Sequence, residues 1–158
     1  MKEPSRQQKR ALNRALFYLS QRSQTQKQIE EKLARKEFAS DDIEFAIKKL
    51  KDLEFIDDLK FAKNYVRQSL TLKPKGKRRL FLELVRKGVL KDLIEQALEE
   101  ELTEENEQER LDEVLQKYLK RSANVPREKI YNRALGFLMR RGFSYDLSKK
   151  ALQDAMKD

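Results

Sequence analysis

Three short stretches of this chain repeat one another, and that repetition limits the possible folds more than any other feature. Leu33-Ala34-Arg35-Lys36-Glu37-Phe38, Leu84-Val85-Arg86-Lys87-Gly88-Val89 and Leu138-Met139-Arg140-Arg141-Gly142-Phe143 share an apolar anchor, a basic pair, a turn residue and an apolar staple, at intervals of 51 and 54 residues. A period of this length marks one supersecondary unit copied along the chain, each copy burying its apolar face against a neighbour.

The surroundings of each copy have helical periodicity, and no segment alternates as a strand would. Leu12, Ala15, Leu16 and Leu19 form a stripe behind Ser5-x-x-Gln8, and Ile29 and Leu33 follow Thr25-x-x-Gln28, two capping-box patterns. Ser40 is placed to cap a third helix carrying Ile43, Ala46, Ile47, Leu50 and Leu53. The pattern restarts behind Asp57-Asp58 with Phe61, Ala62, Tyr65 and Val66, continues through Leu80, Phe81, Leu84 and Val85, and ends with Leu90, Leu93, Ile94, Ala97 and Leu98. Thr103 opens the third round, with Pro126 in the first turn of its second helix and Ser144 capping its last. The expected fold is all-α: three tandem three-helix repeats, helix-turn-helix-like, over residues 1–56, 57–102 and 103–158. Stacked serially, helices of about 12 to 16 residues give an elongated molecule roughly 60 to 80 Å long. Gly136 lies inside a helix at a cost in stability, which close approach of a neighbouring helix would explain. Phe17, Phe45, Phe55, Phe61, Phe81, Phe137 and Phe143 fall on or beside the stripes and are expected in the core.

Charge is segregated along the chain. Residues 60–91 carry 11 Lys or Arg and one acid, Glu83; residues 92–113 carry 11 Asp or Glu and one Arg, Arg110; residues 114–158 return to a net of +7. The whole chain has a net charge of +9, which favours partners bearing phosphates or acidic surfaces. The densest group, Lys73, Lys75, Lys77, Arg78 and Arg79, stands at the start of a helix, where cations oppose the helix dipole and a phosphate or carboxylate would offset them. Arg86-Lys87 and Arg140-Arg141 stand in last turns, where positive charge suits the dipole. Glu99 to Glu109 reads as a solvated helix end and linker. Tyr18, Tyr65, Tyr131 and Tyr145 are able to stack on bases, yet nothing resembles the paired aromatics of a single-strand-binding surface.

With no Cys and no His, thiolate metal sites, cysteine nucleophiles and the commonest general base are missing, and no enzyme motif takes their place. No cofactor and no metal are expected. The polar amino terminus lacks the apolar stretch of a secretory signal, and no apolar run approaches a membrane span, so a cytoplasmic protein without membrane contact is expected.

Four segments carry a family likeness. Tyr18-Leu19-Ser20-x-Arg22 with Thr25, Ile29 and Lys32-Leu33 resembles the opening signature of the RecX regulators, and Phe55-Ile56-Asp57-Asp58-x-x-Phe61-Ala62 their second. Gly76-x-x-Arg79-Leu80-x-x-Glu83-Leu84-x-x-Lys87-Gly88-Val89 resembles the central block, and Phe137-Leu138-x-Arg140-Arg141-Gly142-Phe143-Ser144 the terminal one. Gln28 stands where the family usually has an acid, and Glu37 where it often has Gly. The resemblance implies a curved, elongated non-enzyme, a monomer, lying in the groove of the RecA protein filament on DNA. There it would hinder filament growth, ATP hydrolysis, strand exchange and coprotease activity, with weak affinity for single- and double-stranded DNA. Partner contacts are expected chiefly from Lys75, Lys77, Arg78 and Arg79 with Lys73, followed by Arg86, Lys87, Arg133, Arg140 and Arg141. Arg22, Asp57 and Asp58 match the signatures, although capping and folding explain them as well. The alternative is a direct basic DNA-binding helix-turn-helix protein. Against it, the helix from Leu90 to Leu102 would carry Asp92, Glu95, Glu99, Glu100 and Glu101 into the major groove.

Overall fold

The structure, a computed structural model, describes residues 2–157, and among these it contains nine α-helices and no strand. They are α1 (Arg6–Gln21), α2 (Gln26–Arg35), α3 (Ser40–Asp52), α4 (Asp58–Thr71), α5 (Lys77–Arg86), α6 (Lys91–Glu101), α7 (Glu104–Arg121), α8 (Arg127–Arg140) and α9 (Tyr145–Ala155). The expected all-α fold of three tandem helix triplets is the one observed. Chain contacts gather into two compact units, one of residues up to 62 with 84–94, the other of 63–83 with residues from 95 on.

In the first unit both capping boxes form: Ser5 and Gln8 exchange bonds of 3.1 and 2.8 Å, Thr25 and Gln28 bonds of 3.2 and 3.0 Å. Reciprocal bonds of this kind satisfy amides that a helix start leaves open. Ser40 does not cap α3; the cap position is Ala39, and Ser40 is the first helical residue. The first turn carries Asp41 and Asp42, whose charges suit the positive helix end without a hydroxyl. α1 packs mainly on α3 through Ala11 and Ala15, small residues that bring the helices close, while Leu12, Leu16 and Leu19 flank the contact half-buried. Asp57 Oδ1 accepts from the Lys60 amide, and Asp58 Oδ1 from the Gln26 amide at the start of α2, so this pair caps two helices. Leu53 and Phe55, expected inside, are 54% and 57% exposed; the chain reverses through Glu54 at φ 61°, which turns them outward and buries Ile56. Phe17 is also exposed, on the side of α1 away from Ala11 and Ala15.

The second unit's core holds Leu111, Val114, Leu115, Ala134, Leu138, Phe143, Ala151 and Leu152 from α7, α8 and α9. Tyr118 stacks on Phe137 at 4.6 Å beside it. Thr103 and Ser144 cap α7 and α9 as expected, accepting from Asn106 and Leu147 amides. Pro126 stands at the cap position of α8 rather than inside its first turn.

The three repeated stretches close their helices identically. In each, the turn residue donates to the carbonyl three back (Glu37 to Ala34, Gly88 to Val85, Gly142 to Met139) and the staple to that of the anchor (Phe38 to Leu33, Val89 to Leu84, Phe143 to Leu138). This is a left-handed helix stop. Its turn residues have φ of 65°, 93° and 95°.

Among the described residues, the two glycine turns are the ones docked upon. Within the first unit, the buried Thr25 hydroxyl donates to the Lys87 carbonyl at 2.5 Å, and a Cβ on Gly88 would lie 2.5 Å from Lys27 Cβ. Within the second, Gly76 N donates to Arg141 O at 2.8 Å and Arg78 N to Gly142 O at 3.3 Å. A Cβ on Gly76 would sit 2.1 Å from Gly142 C, and one on Gly142 2.5 Å from Arg79 N. The start of the second helix in one repeat thus seats on the turn of the next. Glu37, which carries a side chain at this position, is exposed. The close approach expected at Gly136 is not there: a Cβ at Gly136 would meet only the mobile end of Arg140, at 3.2 Å, because that helix face is open. Gly76 is where backbone meets backbone.

Candidate partner and nucleic-acid interface

The segment Lys73 to Arg79 enters α5 through a buried Pro74 and a buried Gly76. The amide of Gly76, just before α5, and that of Arg78 in its first turn are taken by the Arg141 and Gly142 carbonyls, so part of the helix start is satisfied from within. The cations around it divide into two kinds. Lys75 Nζ binds both carboxylate oxygens of Glu83 at 3.0 and 2.8 Å, and Arg79 Nε binds Glu83 Oε1 at 3.2 Å. The Tyr65 hydroxyl donates to Glu83 Oε2 at 2.7 Å, with Lys75 Nζ also 5.7 Å from the ring centroid. The carboxylate that offsets part of this basic cluster is therefore the chain's own. Lys73, Lys77 and Arg78 are exposed and have no ion pair among the described residues.

Burial alone pushes the Glu83 carboxyl up, but the hydrogen bonds from Lys75, Tyr65 and Arg79 outweigh it and hold Glu83 below the usual carboxylate range. Burial, then the bond to Glu83, push the Tyr65 phenol up to about 12. A depressed carboxyl adds stability above its unfolded pKa, about 4.3, that disappears as pH falls through the lower folded value. Glu83→Gln removes that contribution, so the variant's unfolding free energy should fall less steeply than the parent's below about pH 4.3. Parallel slopes in urea titrations across that range would dissolve the Glu83 cluster as a charged unit.

Arg140 and Arg141 lie at the turn on which α5 seats. The Arg140 side chain is exposed, and its carbonyl accepts from Arg79 Nη1 at 3.5 Å. Arg141 is half-buried: Nη2 donates to Pro74 O at 2.8 Å, the guanidinium lies 5.9 Å from the Phe137 ring centroid, and Nε is buried without an acceptor. Burial, then the nearby Arg79 and Arg121 charges, lower its pKa. Arg133 is exposed on α8. The fold thus brings Lys73 to Arg79 together with Arg140 and Arg141 in the second unit. Arg86 and Lys87 belong to the first unit, Arg86 exposed and Lys87 half-buried with its carbonyl receiving Thr25.

Two bases that the sequence did not single out, Lys117 and Arg121, join Lys73 and Arg141 around a cavity of about 180 Å³. Their four-residue spacing puts both on one edge of α7 and was the available signal. The acidic stretch is less solvated than expected: Glu101 takes a bidentate pair from Arg67 at 2.8 and 2.7 Å, and Glu100 pairs with Lys63, because those acids face bases on α4. Of the tyrosines, Tyr65 is engaged with Glu83, Tyr131 packs against the second core, and Lys32 and Lys149 lie over Tyr18 and Tyr145. Among the described residues no group of three or more acids is gathered as a metal site requires, and no helix is long and apolar enough to cross a membrane.

Sequence models of the first, second and third three-helix domains of RecX match residues 11–50, 57–98 and 104–152. A regulatory protein RecX from Finegoldia magna is 32% identical over 145 residues, covering 89% of this chain and 69% of the relative. Those from Prosthecochloris aestuarii and Listeria monocytogenes are 40% identical over 85 residues and 29% over 150. The chain spans about 56% and 55% of the length of these two relatives. The crystal structure of RecX from Lactobacillus salivarius superposes with a TM-score of 0.86 at 30% identity, over 94% of this chain and 96% of that one.

Proposed function

The chain belongs to the RecX family, and from that premise we propose that it is a regulatory protein that binds the RecA recombinase filament on DNA in the cytoplasm and restrains it. Filament growth, ATP hydrolysis, strand exchange and coprotease activity are the processes it limits, and it catalyses no reaction itself. The match of all three helical domains, in order, carries the reading. The basic surface supports it: Lys73, Lys77, Arg78, Arg133 and Arg140 point to solvent, and filament contact is assigned to them first. Lys75, Arg79 and Arg141 act mainly by shaping that surface; Arg86 and Lys87 contribute from the first unit.

A direct DNA-binding helix-turn-helix protein is the competing reading. Its reading helix would be α6, which carries Asp92, Glu95, Glu99, Glu100 and Glu101 where phosphates would repel them. Co-sedimentation over a salt series separates the two. The protein should pellet with RecA filaments on single-stranded DNA at salt concentrations that release it from naked DNA, since backbone affinity falls steeply with salt. Equal retention on both would favour the DNA-binding reading.

A further inference from the structure

We propose that Lys73, Lys117, Arg121 and Arg141 form a binding site for a phosphate group in the cavity enclosed by the α4–α5 connection, α7 and the end of α8. The inference concerns phosphate alone and stands whether or not the protein acts on a recombinase.

The residues around this cavity include four cations and no acid. Two acids act on the set from outside: Glu83, whose charge is felt at Arg141, and Glu113, which pairs with Lys117 at 2.9 Å while both side chains remain about half exposed or more. Such an exposed pair holds Lys117 weakly. Lys73 and Arg121 have no ion pair among the described residues. Val114 and Phe137 line the same space, so a bound anion would lie partly out of water, where its attraction to the cations is strengthened.

Two of the four are already positioned. Arg121 Nε donates to the Lys117 carbonyl at 3.3 Å, which leaves its two terminal nitrogens for a ligand. Arg141 is clamped by the Pro74 carbonyl on one side and by Phe137 beneath. Its Nε has no acceptor although it is buried, a loss that folded proteins normally avoid. Burial first, then repulsion from Arg79 and Arg121, disfavour the charged state of Arg141 more than Glu83 favours it, and an anion between Arg141 and Arg121 offsets that cost. A lone carboxylate offers two acceptor oxygens in one plane, a poor match for four cations set around a cavity. A phosphate group, whose acceptor oxygens are arranged tetrahedrally, suits two guanidinium forks and two ammonium groups.

The phosphate could belong to a nucleic-acid backbone or to a small free ion, and a titration of the full-length, isotopically labelled protein tells them apart. Arginine Nε–H resonances are followed while inorganic phosphate, a fifteen-residue oligothymidylate, or sodium chloride of equal ionic strength is added. The Arg121 and Arg141 signals should move with at least one phosphate compound and not with chloride. A response at far lower oligothymidylate than phosphate identifies a backbone site; the reverse identifies a small-ion site. With whichever compound binds more tightly, Lys73→Ala/Arg121→Ala should weaken binding about tenfold, through loss of two cation contacts. Lys48→Ala/Lys49→Ala, which removes the same charge from α3 in the other unit, should weaken it by less than half as much. Signals that stay still, signals that follow chloride equally, or equal losses in the two variants would each overturn the site.

Discussion

Gly142→Ala will destabilise the chain by about 3 kcal/mol or more, and Gly76→Ala by a comparable amount, whereas Gly136→Ala will be neutral or slightly stabilising. At Gly142 two costs coincide. Its φ of 95° penalises any side chain, and a Cβ would lie 2.5 Å from both the backbone nitrogen and Cβ of Arg79. At Gly76 the φ is ordinary, but the added carbon would fall 2.1 Å from the Gly142 carbonyl carbon. Neither neighbour is the loose end of a side chain, so relief requires α5 to lift from the turn, breaking the bonds from Gly76 and Arg78 to the Arg141 and Gly142 carbonyls. Combining the two changes should cost clearly less than the sum, because one broken seat leaves little for the second to break. Urea unfolding followed by helical circular dichroism provides the values. A Gly142→Ala loss under about 1 kcal/mol, or strict additivity, would contradict the seating of α5 on this turn.

Lys77→Ala/Arg78→Ala should reduce restraint of the recombinase filament about tenfold without moving the unfolding midpoint. Both side chains are exposed and neither takes part in the Glu83 cluster, so their removal leaves packing intact. Arg79→Ala should differ: it removes bonds to Glu83 and to the Arg140 carbonyl, and so should lower stability along with inhibition. The measurement is the protein concentration that halves RecA ATP hydrolysis on single-stranded DNA, at two salt concentrations. Unchanged inhibition by the Lys77/Arg78 double variant would take this edge of α5 out of the contact surface.

Local chemistry was readable from sequence, and contacts across the chain were not. Ser5-x-x-Gln8 and Thr25-x-x-Gln28 announce helix starts because the groups that satisfy each other lie three residues apart. The recurring anchor and staple likewise announce the left-handed stops. Gly76 and Gly136 could not be told apart in this way. What distinguishes them is which backbone arrives from more than 60 residues away, and neither spacing nor propensity encodes that. The Glu83 cluster was half visible: Arg79 lies four residues back on the same helix, while Tyr65 reaches Glu83 from α4. The basic segment was visible as charge, yet its division into paired and solvent-facing members depends on that one carboxylate. Leu53 and Phe55 face outward although they continue the apolar periodicity, because the backbone turns left-handed at Glu54.

A helix start laid on a neighbouring turn is a head-to-tail contact, the kind that in a foreign molecule would lead to open-ended fibres. Two equivalent positions, Glu37 in the first repeat and Pro126 in the third, are unsuited to it. Glu37 presents a β-carbon where Gly88 and Gly142 leave bare space, and Pro126, standing where Thr25 donates its hydroxyl and Gly76 its amide, has neither donor to offer. The Glu37 turn and the Pro126 helix start therefore cannot make with each other the joint that Gly76 makes with the Arg141 carbonyl.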